Sequence, residues 1–219
     1  MENKDIYDDI NSIKNIMERS TRFISLSGLS GVMAGIYALI GAGIAYSLIP
    51  THLELNVFDR SADQPVAGVY HGPSNLVDSL VAVALLVLLL SISTGIWLTS
   101  RKAKQRNQTV WNPSSRALLK NGLLPLLTGG CFLIILLVKH HYGIIAPGCL
   151  IFYGLALAAA SQYTFGDVRW LGISEIILGL IALLFPGYGL LFWALGFGVL
   201  HILYGTIMYF KYDRGNNAA

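Results

Sequence analysis

Charged side chains are scarce in this sequence. Of its 219 residues, 54% are hydrophobic and 12% are charged, whereas a soluble globular domain carries roughly 25% charged residues. This shortage excludes an ordinary water-soluble domain and indicates a membrane protein. Cysteine is also rare, and Cys131 and Cys149 both fall inside apolar runs, which predicts small buried thiols.

An apolar core is missing from the first 20 residues, which mix charges of both signs. A cleavable signal peptide is therefore not expected, and the first long apolar run is predicted to direct insertion itself. Residues 1–21 are predicted to form a cytoplasmic amphipathic helix, which could pack on a basic loop, form a dimer contact or lie on the membrane. Its apolar residues recur at helical spacing, at Ile6, Ile10, Ile13 and Met17.

Long uncharged runs make up most of the chain. A helix needs roughly 18 or more apolar residues to cross a bilayer, and the last run is divided by Pro186 and two glycines, which end helices. We predict an all-α integral membrane protein with one transmembrane domain over 22–210. Its six transmembrane helices are predicted at about 22–49, 76–100, 117–138, 143–165, 170–185 and 190–210.

Basic residues predict how these helices are oriented. Lys and Arg are retained on the cytoplasmic side of membranes, and six of the 15 basic residues lie within 101–120, around the connection between the second and third helices. If the basic loop 101–116 is cytoplasmic, both termini and the tail 211–219 are cytoplasmic too, and 51–75 is an outer loop. The net charge of +3 then follows from topology, and no nucleic-acid partner is implied.

Glycines recur at matching positions along the chain. In the first helix of each predicted pair, one glycine is followed seven residues later by another, and the second helix carries one more. Because helices in lipid associate through close backbone approach at small residues, we predict three tandem two-helix hairpin repeats with these glycines as helix-packing residues. They are Gly28, Gly31 and Gly35 with Gly95, Gly122 and Gly129 with Gly154, and Gly172 and Gly179 with Gly205.

The third hairpin carries a resemblance to a known family. Residues 171–206 resemble the repeat unit of the HdeD-type acid-resistance membrane proteins, and the positions that carry the resemblance are Gly172, Gly179, Ala182, Leu183, Pro186, Gly198 and Gly205. The resemblance implies a six-helix protein of the bacterial inner membrane with a role in acid or envelope stress. Residues 18–31 are also similar to multi-pass bacterial inner-membrane proteins of unassigned function.

Two ionisable side chains interrupt the apolar helices. Glu175 is the only carboxylate well inside a predicted span, and His201 is the only histidine near the centre of one. Burying such a group in a bilayer costs roughly 2 to 3 kcal/mol or more, so these residues usually face protein and mark functional sites. Both are predicted to point inward at depths that let them meet, as a proton- or cation-binding pair or as a static hydrogen bond between helices.

An intramembrane serine protease is the remote alternative. Residues 28–31, Gly-Leu-Ser-Gly, resemble the Gly-x-Ser-Gly motif of rhomboid-type proteases, and Ser30 with His201 and Glu175 would supply a nominal triad. Helical periodicity, however, places Ser30 about 160° away from the packing glycines, where its hydroxyl can bond back to its own helix. No catalytic residue is therefore predicted.

Histidines of the outer loops give a weak metal-site alternative. His140 and His141 could bind a metal together with His52 or His71, but adjacent histidines seldom share an ion without a third ligand of known position. We predict neither a metal site nor a cofactor.

The sequence leaves two functional hypotheses. The first is a non-enzymatic membrane protein with a stress-related or regulatory role. The second is a small transporter or channel that uses Glu175 and His201 to bind a proton or cation. The predicted partner in both cases is the lipid bilayer, and assembly as a homo-oligomer is left open.

Overall fold

The computed structural model describes residues 27–49, 76–105 and 109–214. Every element in these ranges is helical, and no strand occurs among them. The predicted helix over 1–21, the outer loop 51–75, part of the basic loop and most of the tail lie outside the described residues. The six helices are α1 (Gly28–Leu48), α2 (Leu76–Gln105), α3 (Pro113–Val138), α4 (Ile145–Ala160), α5 (Asp167–Leu184) and α6 (Gly189–Asp213).

Two helices depart from regular α geometry. Short 3-10 turns flank α4 on both sides and extend it to a continuous span over Tyr142–Tyr163. Helix α6 contains two π-helical segments, Ala194–Leu200 and Tyr209–Asp213. π-Helical segments are rare and frequently lie at functional sites, and the first of these two directly precedes His201.

Five of the six helices are long and apolar enough to cross a membrane. The sixth, α5, has 18 residues and includes the charged residues Asp167, Arg169 and Glu175. An all-helical chain with five helices of this kind is compatible with an all-α membrane protein.

The outer surface of the bundle is apolar. Leu85, Leu86, Leu88 and Leu89, in the middle of α2, are each more than half exposed. Such a surface is unusual for a protein in water but is normal where lipid chains surround the helices. Cys131 is exposed and Cys149 is only partly buried, so the prediction of buried thiols is wrong for Cys131.

Local sequence signals set where the helices begin. The Asn112 side chain accepts a hydrogen bond from the Ser115 N–H at 2.8 Å, and the Ser115 hydroxyl accepts one from the Asn112 N–H at 2.9 Å. With Pro113 in the first turn, this capping box starts α3 four residues earlier than predicted. Between α5 and α6, Gly187 has a φ of 94°, which glycine adopts without strain.

The helices do not all pack as they are paired in sequence. Helix α1 lies between α2 and α6, and α4 lies between α3 and α5. The third predicted hairpin differs, since α5 packs mainly on α4 and α6 packs mainly on α1. The tight turn keeps the ends of α5 and α6 close together, but it does not determine which face of each helix is buried. The larger interface of each helix is formed with another helix.

Facing glycines let two pairs of helices approach backbone to backbone. Between α1 and α6, a Cβ atom added to Gly205 would lie 2.6 Å from the Val32 nitrogen and 2.8 Å from the Gly28 carbonyl oxygen. Between α4 and α5, a Cβ atom added to Gly172 would lie 2.6 Å from the Gly154 carbonyl oxygen. No side chain fits at these positions, so the approach requires glycine. Both contacts join helices of different predicted hairpins.

Most of the other predicted packing glycines also face a neighbouring helix. A Cβ atom added to Gly31, Gly35 or Gly179 would lie within 3.2 Å of backbone atoms of another helix, and one added to Gly129 would overlap Phe152. These positions are therefore filled by the adjacent helix, as expected for residues that set the distance between helices.

Gly95 is the exception. A Cβ atom added there would meet nothing within 4 Å in the described part of the chain, and one added to Gly122 makes only an ordinary contact, 3.5 Å from Ala160. The reason is that α2 packs on α1 through other residues and has no substantial interface with α3. Gly95 therefore lies on an open face, contrary to its prediction as a helix-packing residue.

Basic side chains gather where α1, α3 and α5 begin and α2, α4 and α6 end. We call this the basic end of the bundle. In the described ranges its basic residues are Arg101, Lys102, Lys104, Arg116, Lys120, Arg169, Lys211 and Arg214.

Lys102 joins three helices at the basic end. Its ammonium group forms an ion pair with Asp213 of α6, and the two side chains are only 11% and 12% exposed. The other carboxylate oxygen of Asp213 accepts a hydrogen bond from the Gly28 N–H at 3.0 Å. A carboxylate is favourable there because the first turn of a helix has unpaired N–H groups and a partial positive charge. The ion pair and this hydrogen bond therefore connect α1, α2 and α6.

A second, more exposed ion pair fastens the start of α5 to the end of α6. Lys211 Nζ lies 3.0 Å from Asp167 Oδ2, and the Tyr212 hydroxyl donates a hydrogen bond to the same oxygen at 2.7 Å. The Tyr212 ring stacks on Phe165 at 4.0 Å between centroids, and Phe165 belongs to a buried apolar cluster with Val168.

Lys102→Met is expected to destabilise the protein by about 2 kcal/mol, because it leaves a largely buried carboxylate without its cationic partner while the Gly28 N–H bond remains. Lys211→Met removes the same kind of group from an exposed pair and is expected to have a much smaller effect. Thermal unfolding of the two variants in the same detergent measures the difference. Equal losses of stability would contradict the role assigned to burial.

Candidate functional site

Glu175 and His201 meet inside the bundle. Glu175 comes from α5 and His201 from α6, and His201 Nδ1 lies 3.3 Å from Glu175 Oε1. Glu175 has no exposed surface, and His201 is 6% exposed. The structure therefore brings together the two ionisable residues that the sequence singles out, and we call them the Glu–His pair.

The first π-helical segment of α6 holds the imidazole ring. His201 directly follows Ala194–Leu200, and its Nδ1 lies 3.1 Å from the carbonyl oxygen of Gly196, five residues earlier. A carbonyl oxygen can only accept a hydrogen bond, so Nδ1 carries a hydrogen. This bond turns Nδ1 toward Gly196 and Glu175 and leaves Nε2 on the far side of the ring.

Tyr153 of α4 contacts that far side. Its hydroxyl oxygen lies 2.8 Å from the imidazole Nε2, and Phe197 packs against the Tyr153 ring at 5.1 Å between centroids. No sequence pattern singled out Tyr153. The residue directly precedes Gly154 just as Tyr204 directly precedes Gly205, and nothing in that shared pattern shows which tyrosine faces the histidine.

The Glu175 carboxyl group has no hydrogen-bond partner among the described residues, at either oxygen. Its Oε2 lies against Gly196, where an added Cβ atom would come within 2.5 Å of this oxygen and would also overlap Leu150. Gly196 thus leaves the space that the carboxyl group occupies. A buried carboxylate without hydrogen bonds is costly, so the imidazole 3.3 Å away is its main electrostatic compensation.

The charge of the Glu–His pair depends on how many protons it carries. With Glu175 ionised and His201 neutral, the pair places one uncompensated negative charge in an apolar interior, which is unfavourable. Uptake of one proton makes the pair neutral, either as a carboxylate facing an imidazolium or as a carboxylic acid facing an imidazole. Because the groups are in close contact, this proton belongs to the pair and not to one residue.

The remaining polar candidates lie elsewhere. The Ser30 hydroxyl donates a hydrogen bond to the Ser27 carbonyl oxygen of its own helix at 2.6 Å, as predicted from its position. Both ring nitrogens of His201 already have partners, Gly196 and Tyr153. The hydrogen bond between serine and histidine that a catalytic dyad needs is not formed.

His140 and His141 show no metal-binding geometry in the described ranges. His140 Nδ1 lies 2.6 Å from the Tyr142 hydroxyl oxygen, and no group of three or more His, Cys, Asp or Glu side chains there could hold a metal ion. The other predicted ligands, His52 and His71, lie outside the described residues.

Comparison of the chain with known protein families, with curated proteins and with solved structures gave no match. The function is therefore inferred from the geometry of the molecule.

Proposed function

We propose that this chain is a non-enzymatic, multi-pass inner-membrane protein in which Glu175 and His201 bind one proton within the bilayer and make the protein responsive to pH. One observation carries the proposal. A carboxyl group with no exposed surface faces an imidazole nitrogen at 3.3 Å and has no hydrogen-bond partner in the described part of the chain. A purely structural ion pair needs its remaining oxygen lone pairs satisfied, so the unsatisfied oxygens favour a site that changes protonation.

We place the basic end in the cytoplasm, with both termini, and count α5 as the fifth of six spans. Lys and Arg are retained on the cytoplasmic side, and tryptophans concentrate at membrane interfaces. At the basic end Trp97, Trp111 and Trp170 are 60%, 61% and 62% exposed. Arg101 and Arg116 each lie over one of these rings, an arrangement suited to the headgroup region.

Two of the glycine contacts support a tandem-repeat architecture in which packing occurs between hairpins, whereas the equivalent glycines of the first and second hairpins, Gly95 and Gly122, do not meet. Gly28 meets Gly205, and Gly172 meets Gly154. In both contacts the first glycine of one hairpin faces the last glycine of the preceding hairpin, when the third hairpin is taken to precede the first. A role in acid or envelope stress, which the resemblance to HdeD-type proteins implies, would give the proton-binding pair a physiological signal.

The proposal predicts a proton titration that depends on the pair. Purified protein in lipid nanodiscs is titrated from acid to alkaline pH while infrared spectroscopy follows the carboxylate and carboxylic acid bands and nitrogen NMR follows labelled histidine. Wild type is expected to show a band and a histidine signal that change together. In Glu175→Gln, which keeps the shape of the side chain and removes its charge, the carboxyl change is expected to be lost and the His201 change to require a lower pH, because no carboxylate stabilises the imidazolium.

Ser30→Ala is the matched control, because the Ser30 hydroxyl bonds only within its own helix. It should leave the titration unchanged. Identical titrations in wild type and in Glu175→Gln would overturn the proposal.

Proton or cation transport is the second candidate function. The π-helical segment Ala194–Leu200 beside the pair favours it, since such segments frequently accompany functional sites in helices. Flux into liposomes decides this candidate, with wild type compared with Glu175→Gln and His201→Ala. If wild type moves no ion, or if both variants move ions equally well, the transport candidate fails while the proton-binding proposal is judged by the titration.

A further inference from the structure

The surroundings of His201 define which nitrogen receives an incoming proton. Nδ1 faces the Gly196 carbonyl oxygen at 3.1 Å and Glu175 Oε1 at 3.3 Å. The carbonyl accepts a hydrogen bond, so the hydrogen of the neutral ring is on Nδ1 and the lone pair is on Nε2. The Tyr153 hydroxyl, 2.8 Å from Nε2, then donates its hydrogen to that lone pair.

We propose that Tyr153 relays protons to the Glu–His pair through His201 Nε2, an inference that rests on the proton-binding function proposed above. In this step the O–H bond of Tyr153 breaks as an N–H bond forms at Nε2. The phenol oxygen takes a replacement proton from hydronium, which becomes water. Tyr153 is neutral before and after the step, and His201 becomes an imidazolium beside the Glu175 carboxylate.

Tyr153 is the ionisable side chain placed to act in this way. The ionisable residue that α5 contributes to the site is Glu175, which lies on the Nδ1 side of the ring and has no exposed surface. Helix α1 packs on α6 at His201 through Gly31, and its tyrosine nearest to this contact in sequence, Tyr37, is hydrogen-bonded to Thr94 of α2 instead.

Aromatic rings shield the Nε2 side from other donors. Phe197 packs on Tyr153 at 5.1 Å and on the His201 ring at 5.9 Å, and Trp193 packs on Phe197 at 5.3 Å. Because the Tyr153 hydroxyl oxygen lies directly at Nε2, a proton that reaches this nitrogen from the Tyr153 side passes the phenol oxygen first.

Tyr153→Phe tests the relay, because it keeps the aromatic ring and removes only the hydroxyl. After a rapid drop in pH, the Glu–His pair is expected to take up its proton about 100-fold more slowly in this variant than in wild type, a typical loss when a positioned proton donor is removed. The equilibrium titration of the pair is expected to be retained. Tyr204→Phe is the matched control, since the Tyr204 hydroxyl oxygen lies 3.5 Å from the Ser174 hydroxyl oxygen and not at the imidazole. In this variant the Glu–His pair should take up its proton at the wild-type rate.

Nitrogen NMR of labelled histidine in wild-type protein provides a second test that needs no variant. At alkaline pH, His201 is expected to show a protonated Nδ1 and a hydrogen-bonded, unprotonated Nε2. The opposite tautomer would overturn the relay, and so would an unchanged protonation rate in Tyr153→Phe while the wild-type pair still titrates. If the wild-type pair does not titrate at all, the proposed function fails first and the relay fails with it.

Discussion

His201→Ala is expected to destabilise the protein by about 3 to 5 kcal/mol near neutral pH, the usual cost of removing one partner from a buried ion pair. Glu175 has no exposed surface and no hydrogen bond among the described residues. Without the imidazole, its charge would remain in the apolar interior uncompensated. Chemical unfolding of the variant in mixed micelles, compared with wild type, measures the loss.

The double variant His201→Ala/Glu175→Gln separates the charge from the lost packing. Since glutamine removes the unpaired charge, the double variant is expected to be more stable than His201→Ala alone. Acidification should also reduce the defect of His201→Ala, because protonation neutralises the Glu175 carboxylate. A double variant that is less stable than His201→Ala, together with no effect of acid, would show that the pair does not contribute through its charge.

Gly35→Leu is expected to produce the second large effect, a destabilisation of about 3 kcal/mol, at the upper end of the usual range for overpacking. A Cβ atom at this position would lie 2.6 Å from the Gly198 carbonyl oxygen and 2.6 Å from the Ile202 side chain. The backbone carbonyl cannot rotate away as a side chain can, so α1 and α6 must separate. Because His201 neighbours Ile202 on α6, the same change should disturb the imidazole signal in NMR.

Gly43→Leu is the matched control on the same helix, since an added Cβ atom there meets nothing within 4 Å in the described ranges. Gly43→Leu is expected to change the stability very little. Ser30→Ala is also expected to change the stability very little, because the Ser30 hydroxyl bonds only to its own helix. Thermal unfolding of the three variants ranks them. A larger loss from Gly43→Leu or Ser30→Ala than from Gly35→Leu would contradict the assignment of the α1–α6 interface.

Helix existence and approximate bounds could be predicted because they depend on local chemistry. Long uncharged runs define the helices, and the glycines at Pro186-Gly187-Tyr188-Gly189 mark the turn before α6. The start of α3 was misplaced by four residues, because the cap formed by Asn112 and Ser115 precedes the apolar run on which the prediction relied.

Helix partners could not be predicted in the same way. The rotation of about 100° per residue shows which residues share a face of one helix, but it does not show which helix covers that face. Gly154 and Gly205 were predicted to pack, and both do, yet each meets a glycine from a different hairpin than its own. Gly95 follows the same sequence pattern and meets nothing in the described part of the chain, because none of the six described helices covers its face of α2.

The sequence by itself determined an all-helical chain, its apolar spans and the inward position of Glu175 and His201, because hydrophobicity, helical rise and helical rotation are properties of one segment at a time. Only the tertiary structure decided that the two side chains approach to 3.3 Å, that Gly196 makes room for the carboxyl group and that Tyr153 covers Nε2. These contacts join α4, α5 and α6. They depend on which helices become neighbours, and that choice is made by the packing of the whole bundle.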